Sequence, residues 1–134
     1  VGGLFQTDYW NYRMFKRICE TNGKPVSPGT LGILTDPEHP LFKEFPTDRH
    51  TDWQWFPVIK ASRPVILDSH PEIKPIVQVI DNVERNHKLG LVYEASVGKG
   101  KLLVCSSDLD SVMEYPEARA FKTALLDYML SEDF

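Results

Sequence analysis

Apolar positions along this chain follow two rhythms. Across 9–19 they recur at helical spacing, with Trp10, Met14 and Ile18 on one line and Phe15 and Cys19 beside it. Thr7 or Asp8 stands ready to cap that helix. Near the other end Pro116 suits a first helical turn, and Ala118, Phe121, Leu125, Tyr128 and Met129 share one face of a longer helix. Between the two, apolar residues come in short runs at 31–35, 65–67, 76–80, 89–95 and 102–105, bounded by turn residues, which predicts strands. The last two runs flank Gly98-Lys99-Gly100, where glycine supplies the φ > 0 positions of a tight reversal, so they predict a β-hairpin.

The remaining stretches are connections. Glycines and prolines across 21–29 predict a loop, and the polar stretch 81–88 predicts another. Residues 39–45 fit a turn or two of helix ended by Pro46. Thr51 or Asp52 can cap a short helix through Trp53, Trp55 and Phe56 toward Lys60, with a break or bend expected at Pro57, which has no N–H to give. Helices interspersed with short strands predict an α/β layered sandwich with a mixed, mostly parallel sheet, the hairpin supplying an antiparallel pair.

Composition narrows the class without naming an activity. A chain of 134 residues, 42% hydrophobic and 25% charged, makes one packed domain. A net charge of −4 argues against nucleic acid and membrane surfaces as partners, because both need a basic face. No run approaches the roughly 20 apolar residues of a membrane span. The opening Val1-Gly2-Gly3-Leu4-Phe5 has neither the basic start nor the apolar stretch of a signal peptide, and the first residue is not Met. The expectation is a domain cut or processed from something longer.

Candidate chemistry is sparse. Asp36, His39, His50 and Asp52 could converge on a metal, but no HExxH or paired-cysteine motif supports them, so no metal and no cofactor is expected. Asp36, Asp68, Asp81 and Asp108 each follow an apolar run and read as turn formers or caps before they read as an acid–base pair. Cys105 lacks the glycines of a nucleophile elbow, and both it and Cys19 read as small buried apolar residues. No catalytic residue is assigned. The aromatic residues stand out: Tyr9, Trp10 and Tyr12, then Trp53, Trp55 and Phe56 among His50, Asp52 and Gln54. Flat rings beside polar groups can stack on sugars, although packing is their commoner use. Trp53 and Trp55, two apart on a helix, point to nearly opposite sides, so one belongs to the core and the other is available. Trp10, Trp53, Trp55, Gln54 and His50 are therefore the candidate residues for carbohydrate or domain contact.

Several stretches together resemble the C-terminal part of bacterial glycoside hydrolases of family 2, the β-galactosidase-like kind. They are the run from Leu31 through Asp36-Pro37-Glu38-His39-Pro40, Phe45-Pro46-Thr47 with Thr51-Asp52-Trp53-Gln54-Trp55, and Pro75-Ile76-Val77-Gln78-Val79-Ile80-Asp81. Lys88-Leu89-Gly90-Leu91-Val92-Tyr93-Glu94-Ala95 and the hairpin through Ser106 complete the pattern. The chain is also similar to the trimerisation-type and glutamine-amidotransferase-like domains attached to such enzymes. The resemblance implies a flavodoxin-like layered fold and a single accessory domain, 1–134, of a longer secreted or periplasmic polysaccharide-degrading enzyme. The parent's catalytic glutamates would lie in a barrel domain elsewhere. It implies the parent's other domains as partners, with carbohydrate as the alternative ligand of Trp10, Trp53 and Trp55, and expects those aromatics near one another on an exposed apolar patch.

Overall fold

A computed structural model describes residues 20, 21, 24, 25, 30, 32–81 and 86–134. The aromatic cluster and helix expected across 9–19 lie outside the described residues. A two-residue ladder comes first, β1 (Glu20–Thr21) against β2 (Lys24–Pro25). The main sheet has five strands: β3 (Gly32–Thr35), β4 (Val65–Ile66), β5 (Val77–Ile80), β6 (Lys88–Val97) and β7 (Gly100–Cys105). Its order is β3-β5-β6-β4, and β7 also pairs with β6. The helices are α1 (Phe56–Lys60) and α2 (Pro116–Leu130), with 3-10 turns at Pro40–Lys43, Trp53–Trp55 and Leu109–Val112.

Every pairing in the sheet is antiparallel, which overturns the expectation of a mostly parallel, flavodoxin-like sandwich. The physical reason lies in the links. Parallel neighbours need a crossover of a dozen or more residues, usually helical. Here β5 and β6 are joined by seven residues, β6 and β7 by two, and α1 sits between β3 and β4, which are not neighbours. The individual strands stand within a residue or two of where the apolar runs put them. Their mutual direction is what the alternation of helix and strand misrepresented.

A β-bulge sorts the central strand between two faces. Val77 stands opposite Val92 while the next residue, Gln78, stands opposite Gly90, so Leu91 is the extra residue on β6. Leu89, Leu91 and Val92 all enter the main core, fully buried with Ile33, Val77 and Val79 under Trp55, Val58, Ile59 and Phe121. Gly90 and Tyr93 turn to the opposite face, where Val65, Leu67 and Tyr93 form a second small cluster. A Cβ at Gly90 would lie 2.7 Å from Leu67 Cδ1 and 3.1 Å from Tyr93 Cδ1, so both side chains would have to shift to admit one. A loop is strapped over this face by Lys88, whose Nζ donates to the carbonyls of Pro71 at 3.0 Å and Ile73 at 2.5 Å.

Candidate functional site

The segment from Asp52 to Lys60 carries most of the candidate residues, and local chemistry explains its shape. The Asp52 carboxylate accepts from Gln54 N–H at 3.0 Å and starts the 3-10 turn. The turn passes into α1 at Phe56, and Pro57 falls in that helix's first turn, where a missing N–H costs nothing. The bend expected at Pro57 is thus a change of helix type just before it.

Trp53 and Trp55 are separated as their spacing requires. Trp55 is fully buried, with ring centroids 5.0 Å from Phe121, 5.3 Å from Phe45 and 6.2 Å from Phe42. Its Nε1–H donates to Thr47 Oγ1 at 2.8 Å, so the one polar atom of the indole is satisfied inside the core. Trp53 is 86% exposed. Its ring lies 6.1 Å from that of Phe56 at 57°, and Lys60 Nζ stands over the Phe56 ring, 5.7 Å from its centroid. Thr51, Asp52, Trp53 and Phe56 line a shallow hollow of about 410 Å³.

The other candidates serve local structure. Gln54 Nε2 donates to the Pro46 carbonyl at 2.9 Å. His50 is exposed, its backbone bridges Leu34, and its Nδ1 lies 3.1 Å from the Thr51 carbonyl. Trp10 lies outside the described residues. Of the five, Trp53 is the described aromatic that faces outward.

The aspartates hold backbone. Asp36 accepts from Glu38 N–H, Asp68 from Lys88 N–H at 2.7 Å, Asp81 from His87 N–H at 2.9 Å and Asp108 from Ser111 N–H. Asp68 also meets His87 Nδ1 at 2.6 Å. These bonds, the His87 one first, hold its carboxyl below the ordinary range. His39 Nδ1 accepts from Leu41 N–H at 3.3 Å and caps the first 3-10 turn. Among the described residues no group of three or more His, Cys, Asp and Glu side chains could hold a metal ion. Cys105 carries a free, half-buried thiol, and burial pushes its pKa up against the opposing pull of a hydrogen bond from the Ser107 backbone. That is the reverse of an activated nucleophile. Cys19 lies outside the described residues.

Two arrangements escaped the sequence reading. Glu94 interrupts the apolar run of β6 and accepts a short hydrogen bond from the Tyr128 hydroxyl. The Tyr128 ring stands 5.3 Å from His39 and 5.6 Å from Phe134. Burial lowers the His39 pKa, with Glu94 and Asp36 pulling the other way. Burial, and then the Glu94 bond, push the Tyr128 phenol far up. The sequence signal was the lone carboxylate inside Leu-Val-Tyr-Glu-Ala, which has to find a donor. The second arrangement is a polar cleft between the ends of β4 and β7, lined by Arg63, Cys105, Ser106 and Ser107 among others.

The fold is thus a two-layer α+β domain with helices over one face of an antiparallel sheet. The chain belongs to the family described as a domain of unknown function, DUF8487, whose model matches residues 1–134. No curated protein matches the chain. Among the described residues no helix is long and apolar enough to cross a membrane.

Proposed function

We propose that this chain is a non-catalytic accessory domain of a larger bacterial glycoside hydrolase, β-galactosidase-like and acting on polysaccharides outside the cytoplasm or in the periplasm. Its task is to hold neighbouring domains of the parent chain. The exposed Trp53 indole beside Phe56 carries this reading. A tryptophan buries roughly 150–250 Å² on docking. That is worth about 4–6 kcal/mol gross at about 25 cal/mol per Å², before the cost of ordering is subtracted. The platform is rigid, because the neighbouring Trp55 anchors the same turn in the core.

The test compares the parent enzyme with and without Trp53→Ala. The substitution is expected to loosen this domain, seen as faster backbone hydrogen exchange across 52–60, with turnover at the parent's active site unchanged. Robust hydrolysis of aryl galactosides by the isolated chain, abolished by a substitution within it, would defeat the reading. So would an exchange pattern that Trp53→Ala leaves untouched.

The tilt between Trp53 and Phe56 and the hollow rimmed by Thr51 and Asp52 favour a second reading, a carbohydrate-binding surface. Stacked pyranose faces would quench Trp53 emission. Titration with plant and host glycans tests it, with Trp53→Ala as the control; no change across a broad panel ends it.

A further inference from the structure

The cleft at the sheet edge is built by topology. β4 and β7 lie end to end along the same side of β6, Val65 opposite Gly90 and Cys105 opposite Val92, and the chain enters one strand and leaves the other at the junction. Two backbone hydrogen bonds fix the walls, Arg63 N–H to the Ser106 carbonyl at 2.8 Å and Asp108 N–H to the Ala61 carbonyl at 3.0 Å, and together they make the antiparallel Ser62–Ser107 bridge. The cleft is open to solvent on one side and has a volume of about 570 Å³, inside the range of small-molecule sites.

Its chemistry is lopsided. Ser62 donates to the Ile59 carbonyl at 2.7 Å, Ser106 to Leu91 at 3.1 Å, Ser107 to Val58 at 2.6 Å and Ser111 to Asp108 at 2.8 Å. Each serine proton is spent on backbone, so a serine oxygen that reaches the cleft can only accept. The donors come from Arg63, whose guanidinium has no hydrogen-bond or ion-pair partner among the described residues. A ligand that matches must bring one anionic group for the guanidinium and several hydroxyl donors for the serine oxygens. Inorganic phosphate dianion brings one O–H donor against several acceptors, and its two charges meet more repulsion from Asp108 on the same wall than a single carboxylate charge does.

We propose that this cleft binds a hexuronate unit, its carboxylate on Arg63 and its ring hydroxyls donating to the serine oxygens. Choosing a sugar acid over other hydroxylated carboxylates rests on the glycoside hydrolase reading above; the guanidinium and the acceptor-lined walls do not.

The experiment is titration calorimetry of the intact chain with galacturonate, glucuronate, galactose, acetate, inorganic phosphate and glutamate. Alkylation of Cys105, followed by peptide mass spectrometry, places any binding in the cleft. One or both uronates should bind and slow Cys105 alkylation. Galactose and acetate should each be weaker by roughly tenfold or more, since each lacks half of the match. Arg63→Gln should lose a similar factor while the thermal midpoint stays put, because the Arg63 side chain holds nothing in the fold. Equal binding of acetate or phosphate would mean a generic anion patch, and equal binding of galactose would remove Arg63 from the site. Preferred binding of glutamate would assign the cleft to amino acids. Each of these, like no binding at all, overturns the hexuronate proposal and leaves the Trp53 test of the accessory role standing.

Discussion

Replacing Trp55 and Trp53 in parallel tests how this core is held. Trp55 is fully buried and makes ring contacts with Phe42, Phe45 and Phe121. Truncation to alanine removes a side chain whose loss from cores costs about 3–5 kcal/mol. Each edge-on aromatic pair adds about 0.5–1.5 kcal/mol beyond area burial, so the upper end of that range applies. Against a total stability of roughly 5–15 kcal/mol for a domain, Trp55→Ala should leave much of the population unfolded. Trp55→Phe is the measurable variant. It keeps a ring in place, gives up the Thr47 bond and part of the volume, and should cost about 1–3 kcal/mol. Trp53→Ala, at a surface position, should stay within about 0.5 kcal/mol of the parent. Urea unfolding followed by far-ultraviolet circular dichroism reads all three, because it does not rely on the tryptophans as probes. The midpoints should move with the slopes unchanged. A Trp53→Ala midpoint shifted as far as that of Trp55→Phe would refute the assignment of Trp55 to the core and Trp53 to the surface.

Other consequences follow from single sites. Gly32 has φ +127°, and a Cβ there would meet Thr51 Oγ1 at 2.6 Å, the same oxygen that accepts from Ile33 N–H at 2.7 Å; Gly32→Ala should therefore cost about 1–3 kcal/mol in a chemical melt. The Tyr128 phenol is raised above its ordinary 10.0, first by burial and then by Glu94, so the stability it contributes is present below pH 10 and is lost as pH rises from there. Tyr128→Phe should flatten that alkaline decline, read as thermal midpoint against pH, and an unchanged slope would contradict the pairing. Asp68 is held below its ordinary 3.8 by His87 and then Lys88, so its contribution is present above that value and is lost as pH falls through the lower folded one. Asp68→Asn should lower the thermal midpoint at neutral pH, where that contribution is fully present, and shrink the acid-side loss, so that variant and parent converge at low pH. Lys88→Met frees the carbonyls of Pro71 and Ile73, and amide exchange across 68–76 should accelerate while that of α2 does not.

Periodicity alone located β3, β5, the hairpin of β6 and β7, and α2, because each strand is a local apolar run bounded by turn residues and α2 has helical apolar spacing behind Pro116 in its first turn. It also placed Trp53 and Trp55 on opposite sides, since that follows from helix geometry and needs no neighbour. Strand direction was invisible to it, because apolar runs look alike whichever way they point and pairing is chosen by links and partners far apart in the chain. The bulge at Leu91 likewise depends on β5 lying alongside, where Val77 and Gln78 fall out of step with Val92 and Gly90. The Glu94–Tyr128 bond and the Arg63 cleft join residues many positions apart, so only closure of the sheet under its helices could assemble them. Local pattern decides what each segment becomes; long-range contact decides which side chains meet.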